Sequence, residues 1–169
     1  MNSPSSSATA RAWEVLAGVV DPEIPVVSIV DLGIVRDVRA EGGALEVTVT
    51  PTYSGCPATQ VIEASIRRAL ADAGFDATVR TSLAPAWTTD WMTAAGREKL
   101  ARFGIAPPGE RAENATAPLR FIRAAPRTVA CPHCGATDTE RLAEFGSTAC
   151  KALYRCRECR EPFDYFKPI

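Results

Sequence analysis

Two Cys-x-x-Cys turns near the C-terminus, Cys131-Pro132-His133-Cys134 and Cys156-Arg157-Glu158-Cys159, restrict what the end of this chain can fold into. A segment as short as residues 128–169 seldom buries enough apolar area to fold alone. Facing each other, the two turns can set four thiolates at the corners of a tetrahedron. Zn²⁺ suits that shell, because it accepts soft sulfur and has no d-electron preference for another geometry. The spacing therefore predicts a metal-stapled module, with Cys131, Cys134, Cys156 and Cys159 holding a structural Zn²⁺. Iron or an iron–sulfur cluster also suits four thiolates, and a redox dithiol is a further use of the motif.

The surrounding residues agree with such a module. Pro132 stiffens the first turn, and Gly135 can take a positive φ that lets backbone N–H groups point at the sulfurs. Ala152-Leu153-Tyr154-Arg155 leads into the second turn and Pro162-Phe163-Asp164-Tyr165-Phe166 leads out, as two strands in the manner of a zinc ribbon. A closed shell of thiolates leaves no open position for chemistry. His133, the sole histidine, reads as a loop residue. Cys150, in Gly146-Ser147-Thr148-Ala149-Cys150-Lys151, is a fifth thiol in this stretch. It reads either as a small buried residue or as a spare thiol whose ionisation Lys151 favours, hence an alternate ligand or a labile site.

At 169 residues, 46% hydrophobic and 23% charged, the chain has the make-up of a globular domain plus a small module. A formal net charge of -1 supplies no field for recruiting nucleic acid or an anionic membrane. No apolar run approaches the roughly 20 residues that cross a bilayer. Met1 to Ala10 is rich in Ser and Ala and lacks the basic start and apolar stretch of a secretory signal. The expectation is a cytoplasmic protein, where six cysteines serve as metal ligands or reactive thiols rather than disulfides.

Residues 1–8 read as disordered, 9–104 as an α/β domain, 105–127 as a Pro-containing linker and 128–169 as the ribbon. A first helix is expected over Ala10–Val19, with Trp13, Leu16 and Val20 on one side. It stops before Asp21 because Pro22 disfavours helical backbone there. A strand follows near Ile34–Val38, then a turn at Glu41-Gly42-Gly43. Leu45, Val47 and Val49 alternate with Glu46, Thr48 and Thr50, marking a strand with one buried face. Ile62, Ile66, Ala69, Leu70 and Ala73 share one side of a second helix, which Gly74 closes. Ala77, Val79, Thr81 and Leu83 suggest a third strand, and a last helix is expected from Thr89 to Phe103. The order α-β-β-α-β-α describes a two-layer α/β (α+β) domain.

The loop Pro51-Thr52-Tyr53-Ser54-Gly55-Cys56-Pro57 opens onto the second helix. Proline favours the first helical position, which predicts Cys56 at or next to the N-cap. Orphan N–H groups and the positive end of the helix dipole favour a thiolate at such a place. Gly55 permits a sharp turn, and Thr52 and Ser54 add hydroxyl donors. Cys56 is then either a reactive or metal-binding thiolate or a small residue packed at a turn. Asp21, Glu23 and Asp31 cluster before the first strand. They could bind a cation or supply a base near Cys56, or they form turns and cap loops beside Pro and Gly. Trp13, Trp87 and Trp91 read as core or rim aromatics, or as a partner surface where exposed.

Taken together, Asp21-Pro22-Glu23-Ile24-Pro25, Asp31-Leu32-Gly33 and Thr52-Tyr53-Ser54-Gly55-Cys56-Pro57 resemble the small α/β domain of SufT-like and cytosolic iron–sulfur targeting proteins. Phe145-Gly146-Ser147-Thr148-Ala149-Cys150-Lys151, the cysteine quartet and Glu161-Pro162-Phe163-Asp164-Tyr165-Phe166 resemble the PaaD (PaaJ) family of phenylacetate degradation. The resemblance spans nearly the whole chain. It implies work alongside the multicomponent phenylacetyl-CoA 1,2-epoxidase, which has a diiron oxygenase and a reductase carrying flavin and an iron–sulfur cluster. It makes Cys56 the leading functional residue, as a transient ligand for iron or a cluster, and matches the quartet to the ribbon ligands. On this basis the protein is expected to assist iron–sulfur assembly or insertion for the reductase, with no turnover chemistry of its own. A single thiolate is a weak, releasable site, so a homodimer or a partner thiol would complete the coordination. The rival within the family is an integral, non-catalytic epoxidase subunit. A nucleic-acid-binding ribbon conflicts with the near-neutral charge, and a cysteine-nucleophile enzyme lacks an evident base.

Overall fold

One alternating strand organises the first half of the chain. The structure is a computed structural model describing residues 4–109 and 128–169, and it divides into two compact units, one running to Lys99 and one from Leu100 to Pro168. In the first, β1 (Val35–Glu41) pairs antiparallel with β2 (Ala44–Val49), and β3 (Ala77–Thr81) joins β2 in parallel. Leu45, Val47 and Val49 on the central β2 are buried, while Glu46 and Thr48 between them are not, as a pleat with one covered face requires. Gly42 and Gly43 both hold positive φ, 59° and 91°, which suits the two-residue turn of a hairpin.

Two helices cover this sheet. α1 (Pro4–Ala17) contacts β1, α2 (Thr59–Asp72) contacts β3, and the helices contact each other. α2 buries Ile62, Ile66 and Leu70. It ends in a Schellman turn: with Gly74 at φ 83°, the Phe75 N–H donates to the Leu70 carbonyl and the Gly74 N–H to that of Ala71, both at 2.9 Å. A third helix, α3 (Ala94–Arg102), completes the expected α-β-β-α-β-α order and the mixed α/β class.

Several boundaries differ from the sequence expectations. α1 begins at Pro4, inside the stretch read as disordered; proline is tolerated in a first helical turn. Among the described residues its buried side chains are Ala12 and Leu16, whereas Val20 lies past the helix end and is exposed. The last helix is two pieces, because Met92 is extended (ψ 131°) between a 3-10 turn at Thr89–Trp91 and α3. The Thr93 hydroxyl, accepting from the Gly96 N–H at 2.9 Å, starts the second piece. Leu83 falls beyond β3 and is exposed.

Asp31-Leu32-Gly33 is the clasp of this unit. One Asp31 carboxylate oxygen accepts from the Ser28 N–H (3.0 Å) and the Lys99 ammonium (2.6 Å), and the other from the Thr93 hydroxyl (3.3 Å). The Trp87 indole N–H donates to the Leu32 carbonyl at 2.9 Å. At Gly33 (φ 67°) a Cβ would lie 2.4 Å from the Trp91 carbonyl oxygen. The register shift between Val35 and Asp37 falls at Arg36, whose guanidinium lies 3.5 Å from the Trp91 ring centre. Trp87 is thus a core residue and Trp91 a half-buried rim residue.

The second unit is a sheet in the order β4-β7-β6-β5, from β4 (Ile105–Ala106), β5 (Thr139–Ala143), β6 (Lys151–Cys156) and β7 (Pro162–Phe166). β6 and β7 are the expected strands around the second cysteine turn. β5 escaped sequence reading because none of its residues is buried, so no alternation marks it. β4 lies in the stretch read as linker, where Ile105 and Ala106 are buried and pair parallel with β7; residues 110–127 of that stretch lie outside the described residues. Ala106, Val129, Cys131, Cys156, Phe163 and Tyr165 form the core, and Tyr154 packs against both Phe163 and Tyr165. Among the described residues no helix is long and apolar enough to cross a membrane.

Two outcomes follow from the clasp. Gly33→Ala should destabilise the first unit by about 3 kcal/mol, the combined scale of a core clash and a left-handed non-glycine residue, read by urea unfolding followed by tryptophan fluorescence. Burial alone would push the Asp31 carboxyl up, but the Lys99 ammonium and the Ser28 donors hold it below its ordinary value. A depressed carboxylate contributes stability above its unfolded pKa of about 3.9 and loses it as pH falls through the folded value. Asp31→Asn should therefore lower stability at pH 7 by about 1–3 kcal/mol and flatten the loss below about pH 4.

A tetrathiolate centre and the Cys56 loop

Each cysteine turn is built by the same backbone hydrogen bond. The Cys131 N–H donates to the Ala136 carbonyl (2.8 Å) and the Cys156 N–H to the Glu161 carbonyl (3.0 Å), five residues ahead in both cases. Closing such a turn demands a left-handed residue after the second cysteine. Gly135 takes it in the first (φ 77°), Arg160 in the second (φ 65°). For a residue with a Cβ that conformation costs roughly 1–2 kcal/mol.

The turns bring Cys131, Cys134, Cys156 and Cys159 together, their sulfurs all within 4.8 Å of one another. Cys131 and Cys159 stand 3.7 Å apart and Cys134 and Cys156 3.6 Å apart, too far for disulfides. A tetrahedral ion with bonds of about 2.3 Å needs sulfur separations of about 3.8 Å. The electrostatics agree. The Cys159 N–H, 3.5 Å from the Cys156 sulfur, leads the effects that bring that thiol down to about 7. At Cys159 the Glu161 N–H favours thiolate, but burial and the neighbouring thiols win and push it up to about 12. Cys134 is likewise raised, despite the Ala136 N–H, by burial and by Cys156 and Cys131. Four sulfurs this close cannot all be anionic without a cation between them. The donor set and spacing therefore fit a tetrahedral, thiophilic ion such as Zn²⁺.

Cys56 stands elsewhere, half-buried, on the loop between β2 and α2. It is not at the N-cap. Ala58 is, in helical conformation and with no side-chain cap, because residues 56–59 first close a turn in which the Cys56 carbonyl accepts from the Thr59 N–H (3.2 Å) and hydroxyl (2.9 Å). Earlier in the same loop, Thr52 is buried and Ser54 exposed. Asp21 caps its own loop, one oxygen accepting from the N–H groups of Glu23 (2.9 Å) and Ile24 (2.8 Å), and Asp31 serves the clasp; Glu23 is exposed. Among the described residues, only the ribbon quartet gathers three or more metal-ligating groups.

Cys150 is buried, with its sulfur 3.1 Å from the Thr148 hydroxyl. The neighbouring Lys151 ammonium is directed to Asp164 at 3.0 Å, and at Gly146 a Cβ would lie 2.7 Å from that carboxylate. Sequence reading missed this buried ion pair, since nothing local links Lys151 to Asp164. It also passed over Arg160, although aligning the two turns shows an arginine where the first has glycine.

An α/β unit with a cysteine-bearing loop, joined to a tetrathiolate ribbon, defines a class that comparison with known proteins recovers. Residues 9–80 match the model of an iron–sulfur cluster assembly protein and residues 115–167 that of the PaaD zinc beta ribbon domain. A solved domain of unknown function DUF59 from Bacillus anthracis superposes with a TM-score of 0.54 at 27% identity, covering 57% of this chain and 93% of that one. The Fe-S protein maturation auxiliary factor YitW of Bacillus subtilis is 42% identical over 46% of this chain and 78% of its own. An Escherichia coli protein named as a component of 1,2-phenylacetyl-CoA epoxidase is 50% identical over 158 residues, 93% of this chain and 91% of that protein. The chain belongs to the PaaD family of phenylacetyl-CoA epoxidase proteins.

Ligand loss and pH should both report on the centre. Cys156→Ala should weaken Zn²⁺ binding by more than the about 10–100-fold that loss of a supporting partner costs, in a chelator competition titration. Thiols must deprotonate to bind, so affinity should rise with pH. With Cys159 at about 12 and Cys156 at about 7, calorimetry at pH 8 in buffers of different ionisation enthalpy should show proton release, to which Cys156 contributes less than Cys159.

Proposed function

We propose that this protein is a cytoplasmic accessory factor of phenylacetyl-CoA epoxidase that assists iron–sulfur assembly or insertion for the reductase component, without turnover chemistry of its own. The observation that carries this reading is the pairing, in one chain, of an iron–sulfur-assembly-type unit with a ribbon of the epoxidase family. Cys131, Cys134, Cys156 and Cys159 hold Zn²⁺ as a structural ion, and the ribbon docks the client. Cys56, half-buried on its loop, is the transient ligand for iron or a cluster, with a second copy or a client thiol supplying further ligands. Thr52 and Ser54, earlier in the same loop, are candidate donors, whereas Asp21 and Asp31 support the loops. Cys150 has no part in the transfer.

A second reading, an integral non-catalytic subunit of the epoxidase, is favoured by the name of the Escherichia coli relative. The two part on one measurement. Cells carrying Cys56→Ser should yield a folded, Zn²⁺-loaded protein but a reductase with at least about tenfold less iron and acid-labile sulfide than wild type, the lower end of what loss of even a supporting partner costs a metal site. Full cluster occupancy in that strain, with turnover still requiring the chain in a reconstituted mixture, would replace the assembly role with that of an integral subunit.

A further inference from the structure

The second cysteine turn borders a cavity of about 300 Å³ lined by Arg155, Cys156, Arg157 and Arg160. Two of these guanidiniums already show what the face takes. Arg155 and Arg157 converge on Glu140 of β5, Arg155 through its Nε at 2.8 Å and Arg157 through Nη2 at 3.1 Å, and they hold that carboxyl below its ordinary value. Arg160 is different. It is exposed, and no ion pair or hydrogen bond engages it among the described residues. It also occupies the left-handed position that the first turn gives to Gly135, so its side chain stands where the backbone favours having none.

We propose that this cavity is a docking site for a carboxylate-bearing segment of a protein partner, with Arg160 as its anchor and Arg157 and Arg155 beside it. A planar guanidinium grips a carboxylate through two parallel hydrogen bonds. The acidic residues Asp138, Glu140, Glu158 and Glu161 surround the arginines in sequence and sheet. They cancel any broad positive field, which disfavours a polyanion such as nucleic acid and leaves a local fit for individual carboxylates. The inference rests on the docking role of the ribbon and names the surface and the chemistry that it would use.

The test uses the full, Zn²⁺-loaded chain, titrated calorimetrically with a hexaglutamate peptide, a hexaglutamine control and inorganic pyrophosphate. Hexaglutamate should bind and hexaglutamine should not. Arg160→Gly, which relieves the backbone, should weaken hexaglutamate by about tenfold or more while its thermal midpoint stays level or rises. Unchanged affinity in Arg160→Gly, no binding of hexaglutamate, equal binding of hexaglutamine, or tighter binding of pyrophosphate than of the peptide would each overturn the proposal. Cys56→Ser retains the ribbon and should bind the peptide as wild type does, so cluster delivery and docking fail separately.

Discussion

Four sulfur atoms clamp the second unit, and those of Cys131 and Cys156 also belong to its core. Cys131 and Cys156 are buried among Val129, Phe163 and Tyr165, so the residues that gather around an ion are the same ones that fill the small interior. In the absence of a cation these thiols oppose one another: burial and mutual repulsion drive Cys159 and Cys134 toward the neutral form. A bound ion turns that repulsion into attraction and ties the two turns together. The first unit solves the same problem with a carboxylate. Asp31 collects an amide, a hydroxyl and an ammonium, and so holds its loop against α3.

The division of labour between the units follows from these two solutions. A closed tetrathiolate shell has no open coordination position, so the proposed function places any cargo at another residue. Cys56 is the one cysteine of the first unit, on a loop flanked by β2 and α2. Because the helix begins only after a turn, the backbone of Cys56 is placed by turn hydrogen bonds rather than by a helix cap.

Much of this was legible in the sequence. Residues 44–49 alternate and residues 62–70 recur at helical spacing because each element has one covered face, and the pattern gave the α-β-β-α-β-α order. The clustering of the cysteine quartet was legible because a ribbon imposes short, fixed spacings. What escaped lacked a local signature. β5 has no buried face, and β4 is two residues long and paired with a strand far along the chain. The break at Met92 is a single extended residue inside an otherwise helical stretch. Asp21 and Asp31 were ambiguous in sequence because acids that bind cations and acids that cap loops have the same composition; only their hydrogen-bond partners distinguish them.

The parallel pairing of Ile105–Ala106 with β7 has a consequence for how the ribbon is bounded. Its sheet recruits its outermost strand from a position well before the first cysteine turn, so the natural start of the module lies near Leu100 rather than at Thr128. A fragment cut at Thr128 would keep every sulfur ligand and still bare the backbone donors and acceptors of β7. An uncovered strand of that kind, carrying Phe163, Tyr165 and Phe166, invites self-association of the excised piece.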